Sequence, residues 1–421
     1  MKQLIKAYNY FFIFMCIIWQ PFQYYILKVD GAGRTIMVLS IFAILLNLVE
    51  FWKQKKLYLT PAFICWMVLF CYSMWNAFSK GFYAEFGTFK FLRDKFFDSF
   101  ILLIVLMLEL KKDKRRCLWV IWLSIGVYLL IGLPSFIMNP EERFLVEGIG
   151  NLFPLHAVAF LFVSSILFVE ERIRMWFFVV ITLGISALIF LSGTRKAFGA
   201  EIIILLGVVL NNGKERNLWA WVRLVFLGSI LAIGVYYVIN NTIVGERILE
   251  GTDDRMYVQL VENQRLNDLI MAMLGDRGVQ YESALELFHE HYWTGIGLTN
   301  FMDMSGGDLV LHSEYMVQLC ENGMIGFVLL MLFYVLLVIG LVSNRKVLGK
   351  RKIGMALFGL FAILFINFTS WTYCMEYVMV CYAIFFVYAS SETIKKNYQP
   401  TQREQFQQSL DRIFGPASEK V

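Results

Sequence analysis

The chain has 421 residues, of which 58% are apolar and 17% charged, with a formal net charge of +5 and a mean hydropathy of +0.61. A soluble domain of this size carries about 25% charged residues, so water is excluded as the main solvent of this one. The basic excess sits in short connections between apolar runs, which speaks for membrane topology and against nucleic-acid binding.

In chain order the apolar runs are 10–27, 35–52, 58–78, 96–110, 117–138, 150–169, 175–192, 197–210, 218–240, 315–342, 353–371 and 374–390. Each approaches the roughly 20 residues that a helix needs to cross a hydrocarbon core about 30 Å thick. The expected fold is therefore an all-α polytopic membrane protein with about twelve transmembrane helices. Helices one to nine occupy 1–240, a large extracytoplasmic loop with short amphipathic helices occupies 241–313, helices ten to twelve occupy 314–390, and a cytoplasmic tail runs over 391–421. The first run follows Lys2 and Lys6 as a signal peptide would, but it has no small-x-small cleavage pattern and holds Gln20 and Pro21, so it reads as a retained helix.

Basic clusters fall in every second connection: Lys53, Lys55 and Lys56; Lys111, Lys112, Lys114, Arg115 and Arg116; Arg172 and Arg174; Lys214 and Arg216; and Arg345 to Lys352. The positive-inside rule makes those connections and both termini cytoplasmic and turns 28–34, 79–95, 139–148, Gly193–Lys196 and the long loop outward. In the tail, Phe406, Leu410, Ile413 and Phe414 have the spacing of an amphipathic helix on the inner leaflet. The seven cysteines show neither metal-ligand spacing nor a paired framework and read as buried thiols. Polar residues within the spans are few: Asn47, Asn76, His156, Glu201 and Asn367, with Glu201 placed to neutralise a basic neighbour.

Within the long loop, Tyr257, Leu260, Val261, Ile270 and Met273 predict one amphipathic helix behind Asp253 and Asp254. After a break at Gly275 and Gly278, Tyr281, Ala284, Leu285 and Phe288 predict a second, ending near His291. Gly295 and Gly297 in Thr294-Gly-Ile-Gly-Leu-Thr-Asn-Phe301 allow a tight turn and close approach of another segment. His312, one of only four histidines, then stands at the mouth of the next span.

Three features resemble the O-antigen polymerase and O-antigen ligase family of membrane glycosyltransferases. His312-Ser313, nine residues, then Gly323-x-x-Gly326 matches the family signature; Ser192-Gly-Thr-Arg195 is similar to its Ser-x-Ser-Arg turn; and Arg277 precedes an amphipathic helix and a Gly-x-Gly-x-x-Asn-Phe segment. Phe327 and Val328 depart from the two threonines that often follow in ligases. The resemblance implies transfer of a glycan from a polyprenyl pyrophosphate carrier to an acceptor hydroxyl at the outer face of the cytoplasmic membrane. His312 would be the base and Arg195 and Arg277 the pyrophosphate ligands, with Arg255, Arg265, Arg93 and Lys90 as further substrate-binding candidates.

A guanidinium fork suits pyrophosphate, and a histidine of ordinary pKa near 6.5 suits proton abstraction at working pH. No metal ligand cluster is visible, so metal-independent transfer without a cofactor is expected. The expected partners are the lipid-linked glycan donor and acceptor, membrane lipids, and a chain-length regulator and flippase of the same pathway; no nucleic acid is expected.

Simpler roles exist for each residue. Arg195 and Lys196 could snorkel at a span end, Lys196 more so, and Arg277 could pair with Asp276 or Glu282. The leading function is a polysaccharide polymerase for O-antigen-type or capsule-type repeat units. The alternatives are a ligase with another acceptor, a transporter or lipid-linked glycan flippase, and a structural scaffold. A transporter would show internal repeats and a charged midplane, and neither is evident.

Overall fold

The computed structural model describes residues 2–28, 33–80, 99–138, 152–192, 194–212, 276–305, 311–370, 372 and 375–390. Helix α1 (Lys2–Pro21) continues as a π-helical turn (Phe22–Leu27) beyond Pro21, which has no N–H to give to the α-helical ladder. Then come α2 (Gly33–Lys53), α3 (Lys55–Tyr58), α4 (Pro61–Lys80), α5 (Ile101–Met138), α6 (Leu152–Val169), α7 (Met175–Leu191) and α8 (Arg195–Asn212). The remainder is α9 (Asp276–Glu290), α10 (Phe301–Met304), α11 (Glu314–Ser343), α12 (Arg345–Leu348), α13 (Lys350–Asn367) and α14 (Glu376–Ala389). No strand occurs among the described residues.

The stretches Lys2–Leu27, Thr35–Lys53, Pro61–Lys80, Ile101–Pro134 and Glu314–Ser343 are long and apolar enough to cross a membrane, and Phe153–Val169, Met175–Phe190 and Glu376–Ala389 are shorter apolar helices. The protein is thus an all-α, multi-pass membrane protein. Helices lie on all the expected runs except 218–240, which falls outside the described residues, as do 241–275 and the tail 391–421.

One expectation gains detail and one changes. The expected connection around Lys111–Arg116 narrows to a single non-helical residue, Asp113 (φ −148°, ψ 74°), which divides α5 into two legs. The chain reverses there. On the first leg Ile104 accepts from Tyr58, before α4, and Phe100 stacks on Trp66 and Phe70 further along that helix. On the second leg Lys114 covers the Tyr388 ring at the end of α14, and Tyr128 stacks on His156, which meets Tyr377 at the other end of α14. The change is in α9 (Asp276–Glu290), where Gly278 lies inside the helix and does not break it.

One end of the bundle is held by charge. Lys6 pairs with Asp113 at 2.8 Å, Lys112 lies 3.6 Å from Glu50 and 3.7 Å from Glu109, and Arg351 is 3.9 Å from Glu171. Glu170 receives Lys114, Lys352 at 3.9 Å and the Tyr388 hydroxyl at 3.0 Å. Just inside this layer the buried side chains of Asn9, Asn47 and Glu109 bond to one another, tying α1, α2 and α5. Residues far apart in sequence satisfy each other here, which is what buried polar groups require.

Away from that end the helices pack through apolar side chains. Gly199 and Gly207 of α8 lie against Phe365 and Phe358 of α13, and Gly354 of α13 against Asn211, so the two backbones approach closely where side chains are missing.

Candidate active site

The end opposite the ion pairs is built around a helix that does not run straight. In α11 Gly323 has φ 68° and ψ −169°, a conformation that a residue with a Cβ rarely adopts. Ser313, just before α11, and Tyr334, within it, both bond to Asn367. In a continuous helix two residues so spaced would be roughly 30 Å apart. The short leg Glu314–Asn322 therefore folds back beside the long leg that begins at Met324.

Such a break frees backbone groups that lipid cannot satisfy. The loop after α9 satisfies them. Ile296 and Gly297 donate to the carbonyls of Cys320 and Glu321 at 3.0 and 2.8 Å, and Met324 and Ile325 donate to those of Tyr292 and Trp293 at 2.8 and 3.3 Å. Gly295 (φ 65°) and Gly297 (φ 95°) let the loop lie this close, as the Gly-x-Gly segment led one to expect. Asn76 of α4 reinforces the seam, donating to the carbonyls of Thr294 at 2.7 Å and Glu321 at 2.9 Å, and the Tyr72 hydroxyl donates to Asn322 at 3.0 Å. The Glu321 carboxyl accepts the Thr299 N–H at 2.9 Å, where Thr299 itself has φ 72°.

A line of side chains runs from this seam along one face of the short leg. Asn322 donates to Gln318 and Gln318 to Glu314, each at 3.0 Å, at helical i, i+4 spacing. Glu314 is 1% exposed and its other carboxyl oxygen accepts the Thr372 N–H at 2.9 Å. The Thr372 hydroxyl donates to Asn367 at 2.6 Å, Asn367 to Tyr334 at 2.6 Å, and Tyr334 and Tyr382 share a hydrogen bond of 2.9 Å.

The turn after α13, Asn367–Ser370 together with Thr372, is where the segments that carry the candidate residues of the sequence are attached. His312 is half-buried immediately before Ser313, whose hydroxyl caps α11 and bonds the Asn367 carbonyl at 3.3 Å; the next residue, Glu314, donates its N–H to the Ser370 carbonyl at 3.1 Å. Arg195 is the first residue of α8, and its neighbour Lys196 bonds the Ser370 hydroxyl. Arg277 is the second residue of α9, and Tyr281, one turn on, donates to the Phe368 carbonyl at 3.2 Å. Three segments distant in sequence are thus hydrogen-bonded to one short turn.

The Lys196 ammonium bonds the Ser370 hydroxyl of the turn. Glu201, expected beside a basic group, takes a hydrogen bond from Ser186. Arg93, Lys90, Arg255 and Arg265 lie outside the described residues. The turn, Asn76 and Glu314 were absent from the candidates of the sequence; Asn76 and Asn367 had stood out only as polar residues in apolar runs.

The folded-back leg and its seam coincide with a family match. Residues 177–331 match the family model described as O-antigen ligase, a stretch that runs from α7 to the long leg of α11 and includes Arg195, Arg277 and the whole His312–Gly326 signature. The comparison with curated proteins found no match. The family resemblance read from the sequence thus holds over this region. The chain is a membrane protein with an O-antigen ligase-type domain, the mark of a glycosyl-transferring enzyme.

Proposed function

We propose that the protein is a polysaccharide polymerase. It joins polyprenyl-pyrophosphate-linked oligosaccharide repeat units, of O-antigen or capsule type, at the outer face of the cytoplasmic membrane, with both termini inside. The observation that carries this reading is the attachment of the segments that carry Arg195, Arg277 and His312 to one turn, Asn367–Ser370 with Thr372, within and beside the matched family region.

The chemistry follows from the substrate. An acceptor sugar hydroxyl attacks the anomeric carbon of the donor glycan from the face opposite the lipid pyrophosphate, and the bond from that carbon to the pyrophosphate oxygen breaks with inversion. The hydroxyl proton passes to His312, and the lipid pyrophosphate departs with its full charge. Arg195 and Arg277 stabilise that growing charge through paired N–H donors, which makes a metal ion unnecessary in this reading. Arg255, Arg265, Arg93 and Lys90 are second-rank contacts to the same anion or its glycan. A regulator of chain length and a flippase would work beside the enzyme.

The family description favours a second reading, a ligase that passes the glycan to another acceptor; Phe327 and Val328 favour the polymerase. Reconstitution with purified lipid-linked repeat unit separates them. A ladder of products made from that unit alone is the expected result. Transfer only to an added acceptor would replace polymerase by ligase, and passage across the bilayer without glycosyl transfer would overturn both in favour of a flippase.

A further inference from the structure

Glu314 is a buried carboxyl group at the first position of α11, two residues after His312, and its place there needs both of its oxygens. One accepts from Gln318 at 3.0 Å along its own helix; the other accepts the N–H of Thr372 across the turn at 2.9 Å. Its backbone N–H reaches the Ser370 carbonyl at 3.1 Å. The first turn of a helix favours negative charge, so the group is supported where it stands. Through Ser370 and Phe368 the same turn holds Lys196, beside Arg195, and Tyr281, one turn after Arg277.

We infer that Glu314 is a positioning residue for glycosyl transfer: it fixes His312 against the turn that also anchors the helices carrying Arg195 and Arg277 in their first turns. This rests on the reading of His312 as base. Glu314 itself touches Gln318 and the turn, and acts through where His312 stands. A carboxylate serves better than an amide because it offers an acceptor on each side, whereas glutamine can keep only one of the two links.

The test uses full-length protein in proteoliposomes with purified lipid-linked repeat unit. Misplacing a reacting group by about 1 Å costs on the order of 100-fold in rate. Glu314→Ala is therefore expected to lower kcat about 100-fold with KM changed less than about twofold, and Glu314→Gln to recover part of the loss. Added to His312→Ala, the Glu314→Ala change should remove nothing further from the residual rate, because the positioned group is already gone. Multiplicative losses in the double variant, or a wild-type kcat in Glu314→Ala beside an inactive His312→Ala, would overturn this inference alone. A fully active His312→Ala would overturn it together with the reading of the base. If Glu314→Ala fails to insert, Glu314→Gln decides: a wild-type kcat overturns the inference and a reduced kcat at unchanged KM supports it.

Discussion

The two ends of the bundle solve the same problem, polar groups where water is scarce, in opposite ways. At the basic end charges meet charges: Lys6 with Asp113, Lys114 and Lys352 with Glu170, Lys112 with Glu50 and Glu109. At the other end hydrogen bonds to the chain's own turn and helix do the linking: the carboxyl of Glu314 accepts from the amide of Gln318 and the N–H of Thr372, and the ammonium of Lys196 donates to the hydroxyl of Ser370. Paired charges hold helices together. The second end combines its hydrogen-bonded turn with a broken helix and a glycine loop, where the first couples ion pairs to the buried Asn9, Asn47 and Glu109 side chains.

The contrast is broken most severely at the helix reversal. Gly323→Ala would place a Cβ on the Trp293 carbonyl and ask alanine to hold φ 68° with ψ −169°, a conformation that costs a residue with a Cβ about 1–3 kcal/mol before any clash. Loss of folded protein, read by thermal melting in detergent, is the expected outcome. Gly349, at φ 86° with open space around it, serves as the control: Gly349→Ala should cost only the conformational part, about 1–3 kcal/mol.

Separate Arg195→Ala and Arg277→Ala variants should insert and melt near wild type but fail to extend lipid-linked units, each losing at least about 100-fold in rate. Product length equal to wild type in both would remove the two arginines from the site.

At the basic end the order of effects reverses. Lys114→Ala leaves Glu170 with less compensation, and losing one member of a buried pair costs about 3–5 kcal/mol. Melting should fall while the rate per folded molecule stays within about twofold of wild type; a large fall in rate at unchanged melting would erase the contrast between the ends.

The smallest effect concerns acid. Burial acts to raise the pKa of Glu170, but the neighbouring Lys114 and Lys352 outweigh it and hold the carboxyl below its ordinary value. A depressed folded pKa contributes stability that is complete above the unfolded value and is lost as pH falls through the folded one. Melting temperature should therefore decline as pH drops below about 4, and Glu170→Gln should flatten that decline.

The sequence made the spans legible because a bilayer demands one length of apolar run, and helices lie on those runs wherever the chain is described. The signature was legible too, from His312 to Gly326. What stayed hidden depends on single backbone residues and distant partners. That Gly323 turns the chain back cannot be read from a glycine in an apolar run, since glycine is common in straight membrane helices. Asp113 is less legible still: the lysines, aspartate and arginines around it mark a connection, but not that it narrows to one non-helical residue flanked by ion pairs to Lys6, Glu50 and Glu170. The turn Asn367–Thr372 carries no motif, and its role comes from what binds it: Tyr281, Lys196, Ser313 and Glu314.

The most direct measurement is the product ladder from purified lipid-linked repeat unit with three reconstituted proteins, wild type, Lys114→Ala and His312→Ala, normalised to folded protein. Ladders from wild type and Lys114→Ala and none from His312→Ala are expected. A ladder of wild-type length from His312→Ala would contradict the assignment of glycosyl transfer to the end of the bundle where that histidine stands.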